Sequence, residues 1–386
     1  MNQPNDSRLV TSTAQSPPHD PAASRTGSRR IPVARGTFRS NRTRGLLWLL
    51  ALVLVGVTLP ALPADATFPG ENGRIAFRRF LNEERTWGAV FTIRPDGSGE
   101  RQITKPPQGF VDRNPDVSPD GRRIAFEREG VDCGPDCSFV EVFVVNSDGT
   151  HLKQLTRNPA GQVCGSGGFC NGTPAWSPDG RHIAFTRASG LVVDDTIENV
   201  GIFVMKDDGS QIRQVTQKVR PSLGEDSDPQ WSPNGRAIVF QRRNVRTAQP
   251  ANGVALFVVD LGSHRQRRIT PWELRAGDTP DWSPDGRRIL FHSNVDGAPG
   301  VSANLYTVRP DGTGLRQLTF ATGGVVQYLG SSYSPDGRMI TFGRFPETGG
   351  TNADVMIMRT DGTHVRRVTH TVLYDSYPDW GPAVHR

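Results

Sequence analysis

Hydrophobic positions along this chain fall into short runs, and the same pair of runs recurs with the same punctuation. One element reads NPDVSPDGRRIAFER at 114–128, TPAWSPDGRHIAFTR at 173–187, DPQWSPNGRAIVFQR at 228–242, TPDWSPDGRRILFHS at 279–293 and SSYSPDGRMITFGR at 331–344. A second element follows each copy: VFVVNSDGTHLKQLT, IFVMKDDGSQIRQVT, LFVVDLGSHRQRRIT, LYTVRPDGTGLRQLT and VMIMRTDGTHVRRVT. Self-similarity of this kind is the signature of a repeat architecture.

Each piece has a physical reading. The segment ending in Trp is a short strand. Ser-Pro-Asp-Gly is a turn, because Pro presets φ, Asp bonds locally and Gly takes positive φ. The Ile-Ala-Phe and Phe-Val-Val runs are a second and a third strand. Asp-Gly then turns the chain into a fourth strand ending Gln-Leu-Thr. The middle strands are apolar on both faces, so both faces are covered. Four strands per unit, each unit sandwiched by its neighbours, make a propeller blade.

The chain ends bear on closure. Glu71 to Phe77 enters the repeat at its second strand, and the matching first strand appears only as Tyr377-Pro378-Asp379-Trp380. The pattern therefore predicts an all-β, six-bladed β-propeller of four-stranded antiparallel blades over 67–386. The C-terminal strand pairs with the N-terminal blade, and closure hides edges that would invite aggregation.

The first 66 residues differ in character. Residues 1–44 are rich in Ser, Pro, Thr and Arg, a disordered basic segment that cannot bury enough apolar surface to fold. Gly45 to Leu59, GLLWLLALVLVGVTL, has the length of a signal-peptide core, and Ala64-Asp65-Ala66 is an A-x-A cleavage pattern. Cleavage after Ala66 and export to the periplasm, envelope or medium are expected. An uncleaved signal, anchored in a membrane by 45–62, is the alternative.

Location also changes the meaning of the net charge of +6. Eight Arg and three Asp lie in residues 1–66, which leaves 37 basic and 36 acidic residues in the body. A near-neutral body lacks the footprint of a phosphate-backbone binder, so nucleic acid is not an expected partner. Cys133, Cys137, Cys164 and Cys170 form an even set in an exported chain, which reads as two disulfides of unassigned connectivity rather than a zinc site.

The motifs resemble the TolB-type propeller repeat, whose hallmark is W-S-P-D-G before a short apolar strand. The resemblance covers about 68–386. Val117 and Tyr333 replace Trp, Asn234 replaces Asp, and Leu261-Gly262-Ser263 lacks the Asp-Gly pair. TolB carries an α/β domain before its propeller; here the propeller is expected to follow the cleavage site directly, so the resemblance does not carry the Tol-system role over.

The SPDG and DG turns share one face and are tight. The longer connections, among them 129–140, 157–173 and 217–227, share the other, where function is expected. Two residues after each second-strand Phe stand Arg79, Arg128, Arg187, Arg242, Ser293 and Arg344. Asp112, Asn171, Asp226 and Asp375 stand near them on first strands. One reading is structural: Arg and Asp pair within a blade. The other is an anion-binding mouth, with Arg187 and Arg344 as the best contacts because no Asp is in register. Asp194-Asp195 and Glu225-Asp226-x-Asp228 could bind Ca²⁺, although solvated loop charge is the plainer reading; no other cofactor is expected.

No nucleophile elbow, H-E-x-x-H, P-loop or dinucleotide fingerprint occurs. The expected function is a monomeric, non-enzymatic binding scaffold for an envelope or extracellular protein or an acidic glycan. The alternatives are a uronate lyase, which TolB-like propellers include, and a membrane-tethered sensor.

Overall fold

The computed structural model describes residues 70–132, 139–159, 163–164, 166–193, 196–216, 224–244, 253–293, 302–323, 326–346 and 352–384. The export segment 1–66, Cys133, Cys137 and Asp194-Asp195 lie outside the described residues. Among those described, no helix is long and apolar enough to cross a membrane.

The first repeat holds β1 (Asn72–Phe80), β2 (Gly88–Ile93) and β3 (Arg101–Gln102). The second holds β4 (Phe110–Val117), β5 (Arg123–Gly130), β6 (Val140–Asn146) and β7 (Lys153–Gln154). The third holds β8 (Val163–Cys164), β9 (Ser166–Trp176), β10 (His182–Val193), β11 (Thr196–Lys206) and β12 (Arg213–Gln214). The fourth holds β13 (Glu225–Trp231), β14 (Ala237–Arg243), β15 (Val254–Asp260) and β16 (Gln266–Arg268). The fifth holds β17 (Asp281–Trp282), β18 (Ile289–Ser293), β19 (Asn304–Val308) and β20 (Arg316–Gln317). The sixth holds β21 (Val326–Tyr333), β22 (Met339–Pro346), β23 (Asp354–Arg359) and β24 (Arg366–Arg367), and β25 (Asp375–Pro382) follows.

These strands form an all-β propeller. Sequence pattern predicts six separate four-stranded sheets, and here the structure differs: hydrogen bonding divides the strands into five sheets. Three are four-stranded. The third repeat has five strands, because β8 adds parallel to β9. The first two repeats merge into one sheet of eight, joined by a single parallel pairing, Gly88↔Val111. Glycine permits that joint, since a Cβ at Gly88 would meet Val111 Cγ1 at 3.0 Å. β25 pairs antiparallel with β1, Ile75 facing Trp380 and Arg79 facing Asp375.

The core lies between sheets. Phe77, Phe126, Phe185, Phe240, Phe291 and Phe342, one from each repeat, are fully buried. Each such ring contributes about 1.5–3 kcal/mol of burial. Ala76 and Val90 pack with Ile124 and Phe126 of the next repeat, Ala184 and Ile202 with Trp231 and Phe240, and Leu290 and Leu305 with Tyr333 and Phe342. Val355, Ile357 and Val368 of the sixth repeat pack with Ile75, Phe77 and Trp380.

Turn chemistry explains why departures from the repeat are tolerated. In the first SPDG turn, Asp120 Oδ1 accepts from the Arg122 N–H at 3.0 Å and from Ser118 Oγ at 2.6 Å. Asn234 Oδ1 accepts from Arg236 N and Ser232 Oγ at 3.0 and 2.9 Å, so the amide does the carboxylate's work. Where the Asp-Gly pair is missing, Asp260 Oδ1 accepts from Ser263 N at 2.7 Å.

The Thr closing each Gln-Leu-Thr run has a role that propensity does not reveal. Thr104, Thr156, Thr216, Thr270, Thr319 and Thr369 each accept, through Oγ1, the N–H of a third-strand residue at 2.8–3.1 Å. All six are buried, so each bond satisfies a donor that water cannot reach.

Candidate functional site

The Arg residues two places after the Phe meet their first-strand partners within the repeat. Arg128 grips Asp112 through Nε and Nη2 at 2.6 and 2.8 Å. Arg242 grips Asp226 at 2.5 and 2.8 Å, and Arg79 grips Asp375 at 2.6 and 2.8 Å and also Glu100. The three aspartates are fully buried. Each guanidinium also lies over two rings, Arg128 being 5.8 Å from the Phe126 centroid and 4.8 Å from that of Phe143. Arg187, expected to be open, donates through Nε to Asn171 Oδ1 at 2.7 Å. Asn171 in turn donates to Glu141, so the preceding repeat supplies the charge. Arg344 faces Tyr328 in the ladder, and its charge helps draw the Asp354 carboxyl down against burial, which raises it.

A narrow axial space of about 70 Å³ is lined by all six repeats. Asn114, Thr173, Asp228, Thr279, Gly330 and Tyr377 occupy equivalent places there with φ of 47–54°. Five of them precede proline, which ordinarily drives its predecessor to extended backbone. The β-bulges beside these residues, as between Arg113 and Asp116, hold the unusual conformation.

Three carboxylates on this axis reach across to the next repeat. Asp116 Oδ1 accepts from Trp176 N at 2.7 Å, Asp281 Oδ2 from Tyr333 N at 2.6 Å, and Asp379 Oδ2 from Val117 N at 2.8 Å. Ser332 Oγ plays the same part toward Trp380 N at 3.3 Å. Desolvation raises all three acids, Asp281 to about 8; the charge of Asp379 adds to the rise at Asp116. No cluster of three or more His, Cys, Asp or Glu placed to hold a metal is found among the described residues.

The larger space, about 710 Å³, opens at the loop-side ends of the strands. Its charged lining is Arg78, Arg113, Arg243, Glu225, Asp228 and Asp278, beside Tyr374, Tyr377 and Phe345. None of Arg79, Arg128, Arg187, Arg242, Arg344, Asp112, Asp226 or Asp375 is among the described residues lining it. Arg243 donates through Nε to Glu225 at 2.9 Å, and Arg113 pairs with Glu127 and Glu129. Asp228 is pushed up to about 8, first by desolvation and then by the charge of Asp278. The column two places after the Phe keeps Arg in five of six repeats and does not line this space. The next column reads Arg78, Glu127, Thr186, Gln241, His292 and Gly343, and its variety is the signal that was available.

Of the cysteines, Cys164 and Cys170 form a disulfide beside this face.

No protein-family model matches the chain. A protein TolB homolog of Chlorobium luteolum is 28% identical over 229 residues, 50% of this chain and 47% of the relative. Dipeptidyl-peptidase 5 of Porphyromonas endodontalis is 27% identical over 133 residues, 34% of this chain and 18% of the peptidase. The chain thus spans less than half the length of either relative. The crystal structure of TolB from Acinetobacter baumannii superposes with a TM-score of 0.59 at 19% identity, covering 82% of this chain and 67% of that one. Repeat motifs, sheet order and these likenesses converge: the chain carries a TolB-like β-propeller.

Proposed function

We propose that this chain is an exported, non-enzymatic binding scaffold that receives a protein partner at the loop-side mouth of a closed six-bladed propeller. The observation that carries the reading is the 710 Å³ cavity, whose walls combine aromatic rings with both signs of charge. Concave sites with a few converging polar groups are the usual places for recognition. In support of six blades, the eight-stranded sheet holds two repeats joined by one bridge. In support of closure, β25 pairs with β1, and Val368 shares a cluster with Phe77. The match to the peptidase covers only 18% of that enzyme, so its activity has little purchase here. An exported location accords with the signal-like segment and with the TolB likeness.

A photo-crosslinking side chain placed at Val200, on the cavity wall, is expected to capture a discrete envelope or extracellular protein. The same group at Arg287, on the SPDG turns, is expected to capture none. Equal capture from both positions overturns the mouth as the binding face. N-terminal sequencing of the mature protein is expected to begin at Thr67.

A further inference from the structure

Arg78 and Arg79 are neighbours on β1 and both are buried, 7% and 5% exposed, yet their surroundings differ. Arg79 holds two carboxylates, Asp375 and Glu100. Arg78 directs Nε and Nη2 at one neutral oxygen, Ser376 Oγ, at 2.9 and 2.7 Å. Its guanidinium lies 4.5 Å from the Phe80 centroid and 5.0 Å from that of Tyr377. No carboxylate of the described residues forms an ion pair with it. Arg113 repels it, while Glu127 attracts it without forming an ion pair. Glu127, the acid on the same side, is engaged by Arg113 at 3.2 Å and by the Thr173 N–H at 2.6 Å.

A guanidinium taken out of water without a counter-charge is costly, and aromatic faces offset only part of that cost. Desolvation draws Arg78 below its ordinary value, to about 10, so it stays charged at neutral pH. The forked edge of an arginine matches a carboxylate in two bonds, and here that edge meets a single hydroxyl. Arg78 also lines the 710 Å³ cavity, with Tyr374, Tyr377 and Phe345 around it.

We propose that Arg78 is the anchor of a carboxylate-binding subsite, and that the partner inserts a segment bearing a Glu or Asp side chain into the cavity. The incoming carboxylate supplies the missing counter-charge, while the rings and Leu329 take the apolar part of the segment. These apolar walls favour a peptide over a polyhydroxylated sugar acid. The inference rests on the mouth being the binding face and adds the chemistry it selects.

The test is calorimetric titration of the full chain with acetyl-Gly-Glu-Tyr-Gly-amide, its Gln counterpart, inorganic phosphate and trigalacturonate. The Glu peptide is expected to bind saturably and at least tenfold more tightly than each of the other three. Arg78→Met is expected to weaken it tenfold or more, and Arg78→Lys to retain an intermediate affinity. Arg78→Lys serves if Arg78→Met does not fold: affinity for the Glu peptide equal to the parent's in the lysine variant overturns the forked recognition. Equal binding of the Glu and Gln peptides, tighter binding of phosphate or trigalacturonate, or no binding of the Glu peptide overturns the subsite. Crosslinking from Val200 that persists in such a case leaves the scaffold reading standing without it.

Discussion

The Asp116 carboxylate accepts a hydrogen bond from the backbone N–H of Trp176, in the following repeat, at 2.7 Å. The same geometry joins Asp281 to Tyr333 and Asp379 to Val117. In these three repeats the acid one residue before the Trp or Val that ends the first strand thus ties its repeat to the next, at the axial space.

This arrangement makes stability depend on pH. The Asp281 carboxyl is raised by desolvation to about 8, so the folded chain holds that proton more tightly than the unfolded one. Its contribution is full below the ordinary carboxylate range near 4 and is lost as pH rises through about 8. Melting temperature is expected to decline over that window. Asp281→Asn keeps an acceptor for Tyr333 and is expected to flatten the decline, melting above the parent at pH values beyond about 8. A decline of equal size in both proteins excludes Asp281 as its source.

The buried Arg–Asp pairs answer to a different rule. Arg128→Met leaves Asp112 fully buried and without its guanidinium, and is expected to cost about 3–5 kcal/mol in urea unfolding. The double replacement with Asp112→Leu removes both charges and is expected to recover much of that loss.

Thr270→Val swaps a hydroxyl for a methyl at nearly constant volume. It strands the Leu256 N–H, which Thr270 Oγ1 receives at 2.8 Å. The expected loss is about 1–3 kcal/mol, measured as a lower denaturation midpoint with an unchanged m-value.

Deleting 375–386 removes β25 and with it the partner of β1. Trp380 leaves its cluster with Ile75 and Phe77, and Asp375 leaves Arg79. The shortened chain is expected to lose cooperative thermal unfolding and to aggregate through the exposed edge. A sharp transition within a few degrees of the parent's overturns the dependence on this strand.

The repeats, their turns and the hairpins were legible in the residues alone, because Pro and Gly set φ locally and the alternation of strands and turns needs no distant partner. The pairing of Arg128 with Asp112 was legible too, since strand register places two columns side by side. Tertiary structure decided the rest. It merged the first two repeats at Gly88, where the missing Cβ lets Val111 approach. It buried Arg79 on its carboxylates and put Arg78 on the cavity wall, although the two residues are adjacent in the chain. Successive side chains of a strand face opposite neighbours, and which side opens onto a space depends on how whole sheets pack against one another, a relation no single strand encodes.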